Sequence, residues 1–162
     1  MNASLMKQCV DDLARVKSEQ NIHGALSIYH PEAKLVSVGL GVEARGSIEI
    51  EQQLRVFYAL FPDYRVELKQ VACNDQSLLA TGIVDLTPSI PGHSCQTIQQ
   101  ETSFAFTFKD GRIFQEYFYL DFGLVCQKAK ISPAQFLEAT NLQLSLFKAT
   151  ANKYSEVTYS TN

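Results

Sequence analysis

Apolar residues recur at helical spacing at the start of the chain. Leu5, Met6, Cys9, Val10, Leu13 and Val16 are separated by Asp, Lys and Arg, which predicts an amphipathic first helix. A second short helix is predicted from Asn21, a suitable N-cap, to Tyr29, with Pro31 stopping it. Lys34–Leu40 reads as a strand. A third helix follows Gly46, capped by Ser47, with Glu49 and Glu51 in its first turn and Ile50, Leu54, Phe57 and Phe61 along one face. Pro62 ends it.

The period then changes from helical to alternating. Tyr64, Val66 and Leu68 alternate with Arg65, Glu67 and Lys69, as in a strand with one buried and one wet face. The alternation slips near Gln70, which predicts a bulge. Asn74-Asp75-Gln76 is a turn, Leu78–Leu86 the return strand, and 88–94 a loop. Thr97–Phe108 and Ile113–Phe122 are two further strands joined at Asp110-Gly111, a hairpin pair that supplies positive φ. Ser132 and Pro133 open a last helix, on which Phe136, Leu137, Leu144 and Phe147 are expected to bury together.

Helices first, then hairpin-connected strands, give an α+β fold: a curved, mostly antiparallel sheet wrapped around N-terminal helices into a cone-shaped barrel, with an extra C-terminal helix. Residues 1–130 form the cone, and 131–162 are a helical extension and polar tail of the same domain. With 46% hydrophobic and 19% charged residues, the chain has the composition of a folded domain.

The net charge of -3 is spread without a basic stripe, which argues against a nucleic-acid partner. No apolar run approaches the length that spans a bilayer, and the N-terminus is not a signal peptide. A cytoplasmic protein is the expectation. The four cysteines are scattered and expected to be reduced. His23 and His30 lack metal-ligand spacing, and there is no Cys/His cluster, so neither a metal nor another cofactor is expected.

Five strings occur together in order: NIHGALSIYHPEA (21–33), RGSIEI (45–50), FPDYRVEL (61–68), FKDGRI (108–113) and LDFGLVCQ (120–127). Over roughly 5–127 the chain resembles the SnoaL-like polyketide cyclases, within the nuclear transport factor 2-like or ketosteroid-isomerase-like superfamily. The resemblance implies a cofactor-free enzyme in which a carboxylate acts as general acid/base on a hydrophobic carbonyl compound, by cyclisation, isomerisation or dehydration. It places that carboxylate at Asp121. A carboxylate at the mouth of an apolar pocket is a stronger base because its charged form loses solvation. The other reading of Asp121 is a cap for the turn at Phe122-Gly123.

Strand parity puts Ile113, Gln115, Tyr117, Tyr119 and Asp121 on one face, and Phe114, Glu116, Phe118 and Leu120 on the other. Tyr117, Tyr119 and the loop residue His93 are therefore the candidate proton or hydrogen-bond donors beside Asp121. Tyr29, Phe57, Phe61, Gln115 and Ile113 are the candidate pocket lining. The chain departs from the resemblance where many relatives carry a His-Trp pair: it has Glu116 and Tyr117 there, and no Trp anywhere. The alternative function is a non-catalytic small-molecule-binding or assembly domain, favoured if Phe57, Phe61 or Tyr29 plugs the cavity. Two apolar faces on the last strand predict a homodimer through the outer sheet face.

Overall fold

The computed structural model describes residues 1–158, with side chains through 146. Helices α1 (Ala3–Ser18) and α2 (Ile22–Ile28) lead into β1 (Tyr29–Ser37) and a short β2 (Val42–Arg45). Helix α3 (Gly46–Leu60) is followed by β3 (Arg65–Cys73), β4 (Ser77–Leu86), β5 (Ile98–Lys109) and β6 (Arg112–Tyr119). Helices α4 (Phe122–Ala129) and α5 (Pro133–Thr158) close the described chain.

The strands form one six-stranded sheet in the order β2-β1-β6-β5-β4-β3. Every pairing is antiparallel except β1 with β6. The α+β architecture expected from the sequence is therefore present, as an open sheet: β2 and β3 are its two edges and do not pair. Helices α1 and α3 pack against β3 and β1, and their apolar stripes fill the concave side.

Several local expectations hold. Asn21 caps α2 through a 2.8 Å bond from Gly24 N to its Oδ1. The register of β3 on β4 shifts between Leu68 and Gln70, where the alternation slips. Asp110 and Gly111 take φ of 51° and 76°, as a two-residue hairpin turn requires.

Others are corrected. β1 begins at Tyr29 rather than Lys34, and Pro31, which has no N–H to donate, is accommodated within a register shift of β1 on β6 between Tyr29 and Lys34. The last strand stops at Tyr119, and Phe122 begins a helix instead. Ile113 and Glu116 both face the core, since the β5–β6 register shifts between Thr107 and Phe108. That bulge breaks the simple parity of the strand.

On α5 the buried stripe is Phe136, Ala139 and Thr140, with Leu144 partly buried against the same core. Leu137 is 59% exposed, one position off the buried face. Phe147 lies outside the residues with described side chains.

Candidate functional site: a buried ion pair beside an apolar cleft

Each of two apolar faces carries one charged residue, and the fold brings the two together. The buried face of α1 runs Met6, Val10, Leu13, Val16 and then Lys17. The concave face of β6 carries Glu116 with Phe118. Glu116 is 1% exposed and Lys17 8%. Lys17 Nζ donates to both carboxylate oxygens, at 2.7 Å to Oε1 and 2.8 Å to Oε2. The Tyr29 hydroxyl also donates to Glu116 Oε2, and Lys17 Nζ lies 5.6 Å from the Tyr29 ring centroid.

Two unpaired charges here would lose several kcal/mol of hydration each, so the pair is held only because its partners replace that hydration. Tyr29, Tyr58 and Tyr64 gather at this point. Burial pushes all three hydroxyls above the ordinary tyrosine value, and the negative charge of Glu116 pushes them further. They are neutral phenols at physiological pH, able to donate hydrogen bonds but not to act as bases.

A small cavity of about 20 Å³ lies against this cluster, lined by Lys17, Gln53, Phe57, Tyr58, Tyr64 and Phe118 among others. It has room for little more than one water. Gln53 Oε1 and the Tyr58 hydroxyl are buried without a hydrogen-bond partner among the described residues. A second, larger cleft of about 310 Å³ opens between α3, the β1–β2 corner and α5, with Leu40, Val56, Leu60, Thr140 and Leu144 in its walls. Ser37, Gln53 and Phe57 line both spaces. The cleft is within the size range of small-molecule sites, and Ser37, Glu43, Glu49, Gln52, Gln53 and Thr140 stand as polar groups in its otherwise apolar walls.

The residues expected from the sequence lie elsewhere for the most part. Asp121 is exposed, and its Oδ1 accepts from Leu124 N at 2.9 Å, capping α4. Its position is thus corrected from the pocket mouth to a helix N-cap. Tyr117 is on the convex face, with Lys34 Nζ 5.8 Å from its ring centroid, and Tyr119 is 45% exposed. His93 is exposed and 3.1 Å from Gln135 Nε2 at the start of α5. None of these four lines the cavity or the cleft.

Among the expected lining residues, Phe57 borders both spaces, and Tyr29 stands behind the cavity on Glu116. Phe61 is fully buried against Phe136 and Phe122, with ring centroids 5.8 and 6.3 Å away. Ile113 is fully buried, and Gln115 is half-buried on the strand opposite Thr107. Neither lines the cavity or the cleft. The described residues contain no His/Cys/Asp/Glu cluster suited to a metal, and all four cysteines are free. No described helix is long and apolar enough to cross a membrane.

Comparison with known proteins bears on the fold. A candidate polyketide cyclase from Xanthomonas campestris pv. campestris superposes with a TM-score of 0.71 at 14% identity, covering 80% of this chain and 99% of that one. A protein of ketosteroid isomerase-like fold from Catenulispora acidiphila, in complex with trimethylamine, gives 0.70 at 10% identity, covering 76% and 93%. An NTF2-like protein of unknown function from Burkholderia pseudomallei gives 0.69 at 14% identity, covering 80% and 98%. Identities this low carry the fold and no reaction. The curated proteins yield no match. Residues 10–116, from the middle of α1 to Glu116 itself, match the SnoaL-like domain, and the chain belongs to that family.

Proposed function

We propose that the domain takes a hydrophobic carbonyl compound into the cleft and acts on it by general acid/base chemistry, with Glu116 as the pocket carboxylate. The observation that supports this is the Glu116–Lys17–Tyr29 cluster, an ion pair buried beside a cavity that adjoins an apolar cleft. Lys17 lines the cavity, and Glu116 stands directly behind it. As a ligand seats, the Lys17 ammonium swings from the carboxylate to the carbonyl oxygen. The Tyr58 hydroxyl, which has no partner among the described residues, donates to the same oxygen. The carboxylate freed by that movement takes the proton from the α-carbon, and the two donors stabilise the enolate. Asp121 has the simpler role of capping α4.

The test is α-proton exchange of an enolisable apolar ketone such as 2-tetralone in D2O, followed by NMR. Wild-type protein should accelerate deuterium incorporation, and Glu116→Gln should return it to the buffer rate. A wild-type rate equal to buffer, for a ketone shown to bind, would leave the second reading.

That second reading is a non-catalytic binding domain. It is favoured by the tightness of the inner cavity and by the occupation of both Glu116 oxygens. In either case the convex sheet face bears an apolar row of Leu79, Ala105, Tyr117 and Val36 in cross-strand register. We propose that a second copy of the chain covers this row as a homodimer, to be tested by sedimentation at micromolar concentration.

A further inference from the structure

The two spaces beside the ion pair share three lining residues, Ser37, Gln53 and Phe57. Gln53 Nε2 donates to Ser37 Oγ at 3.0 Å, joining α3 to the end of β1, and both residues line the inner cavity and the outer cleft. Phe57 also lies on the partition, but it is wedged among Phe61, Tyr64 and Phe118, with ring centroids 5.0, 4.9 and 6.0 Å away. Moving Phe57 would break those three aromatic contacts and a fourth with Tyr58 at 6.0 Å, whereas moving Gln53 breaks one neutral hydrogen bond. Gln53 is also only half-buried, although its Oε1 is buried and without a partner among the described residues. A buried amide oxygen left unpaired loses its hydration without replacement, so a ligand that supplies the missing hydrogen bond recovers that loss on binding.

We infer that Gln53 is the gate between the cleft and the inner cavity, and the residue that selects ligands bearing a hydroxyl on their inner end. This rests on the reading that apolar small molecules occupy the cleft. A ligand arriving through the cleft displaces the Gln53–Ser37 bond and donates its hydroxyl to the amide oxygen. A hydroxyl suits the amide in either orientation, because it both donates and accepts, as does Ser37. A ligand with a methyl group at that position leaves the amide unpaired and is rejected. Sites built to bond a hydroxyl discriminate more sharply than apolar pockets do.

The experiment uses two near-isosteric fluorescent probes, 2-naphthol and 2-methylnaphthalene. The chain has no Trp to interfere with their emission. Wild-type protein should prefer 2-naphthol by about tenfold, the effect of one neutral hydrogen bond. Gln53→Leu should bring that preference to about that of an apolar solvent while still binding 2-methylnaphthalene. Ser37→Ala removes the latch but keeps the amide, so it should speed association of both probes and leave the preference in place. If both probes bind and Gln53→Leu keeps the wild-type preference, the role of Gln53 is overturned while the cleft reading stands. If neither probe binds to wild type or to either variant, each shown to be folded by circular dichroism, the cleft reading falls, and this inference with it.

Discussion

Glu116 and Asp121 lie on the same stretch of chain, one within β6 and the other just past its end, and their surroundings are opposite. Glu116 is 1% exposed and accepts from an ammonium and a phenol. Asp121 is exposed and accepts from a backbone amide one turn ahead. The first makes a polar centre inside an apolar cone. The second ends a strand and starts a helix. Position at the strand end makes Asp121 look reactive, but its carboxylate faces solvent and caps a helix, whereas Glu116 is buried against a counter-charge.

The sharpest way to break this contrast is to remove one member of the ion pair. Lys17→Met leaves Glu116 as an uncompensated buried charge and should lower stability by about 3–5 kcal/mol in urea unfolding. Adding Glu116→Leu to that variant should restore most of the loss, because an apolar pair needs no counter-charge. A loss below about 1 kcal/mol for Lys17→Met would mean that the pair is hydrated and not a buried centre. Tyr29→Phe removes one donor to the carboxylate and should lower stability by about 1.5–3 kcal/mol, the range for a hydrogen bond to a charged group.

Alkaline titration sharpens the same contrast. Tyr29, Tyr58 and Tyr64 have folded pKa values above the unfolded value of 10.0. The folded state therefore holds protons that the unfolded state releases. Their contribution is fully present below pH 10 and is lost as pH rises above it, by about 1.4 kcal/mol per pH unit for each tyrosine. Tyrosinate absorbance should show these three ionising together with the loss of far-UV circular dichroism. Free ionisation of all seven tyrosines in a folded protein would contradict their burial around Glu116.

The smallest effect belongs to Asp121. Asp121→Ala should lower the unfolding free energy by about 0.5–2 kcal/mol, and Asp121→Asn, which caps as well, should leave it nearly unchanged. A large loss for the Asn variant would point to a role for the carboxylate charge that capping does not explain.

Much of the fold is legible in the periodicity. Met6, Val10 and Leu13 mark the buried stripe of α1, and Tyr64, Val66 and Leu68 mark the start of β3 with its slip at Gln70. The site is less so, for a definable reason. Sequence parity places Glu116 on a face with Phe118 and Leu120, and helical spacing places Lys17 after Leu13 on the stripe of α1. A single charge on each of two apolar faces, opposite in sign, is the signal that was available. It can be read only once the end of α1 is known to lie against Glu116 of β6, which is a tertiary fact. The bulge near Phe108 concealed it further by putting Ile113 and Glu116 on one side. The exposure of Leu137 has a similar origin, since packing on Phe61 and Phe122 turns its neighbour Phe136 inward instead.

The proposed function puts the ligand's polar end inside the curved sheet beside the Glu116–Lys17 pair, away from Asp121. Intermolecular NOEs from bound 2-tetralone locate that end. Contacts are expected from the ketone ring to the Phe57 and Tyr58 side chains. Contacts confined to Tyr119 and the residues around Asp121, with none to Phe57 or Tyr58, would contradict it.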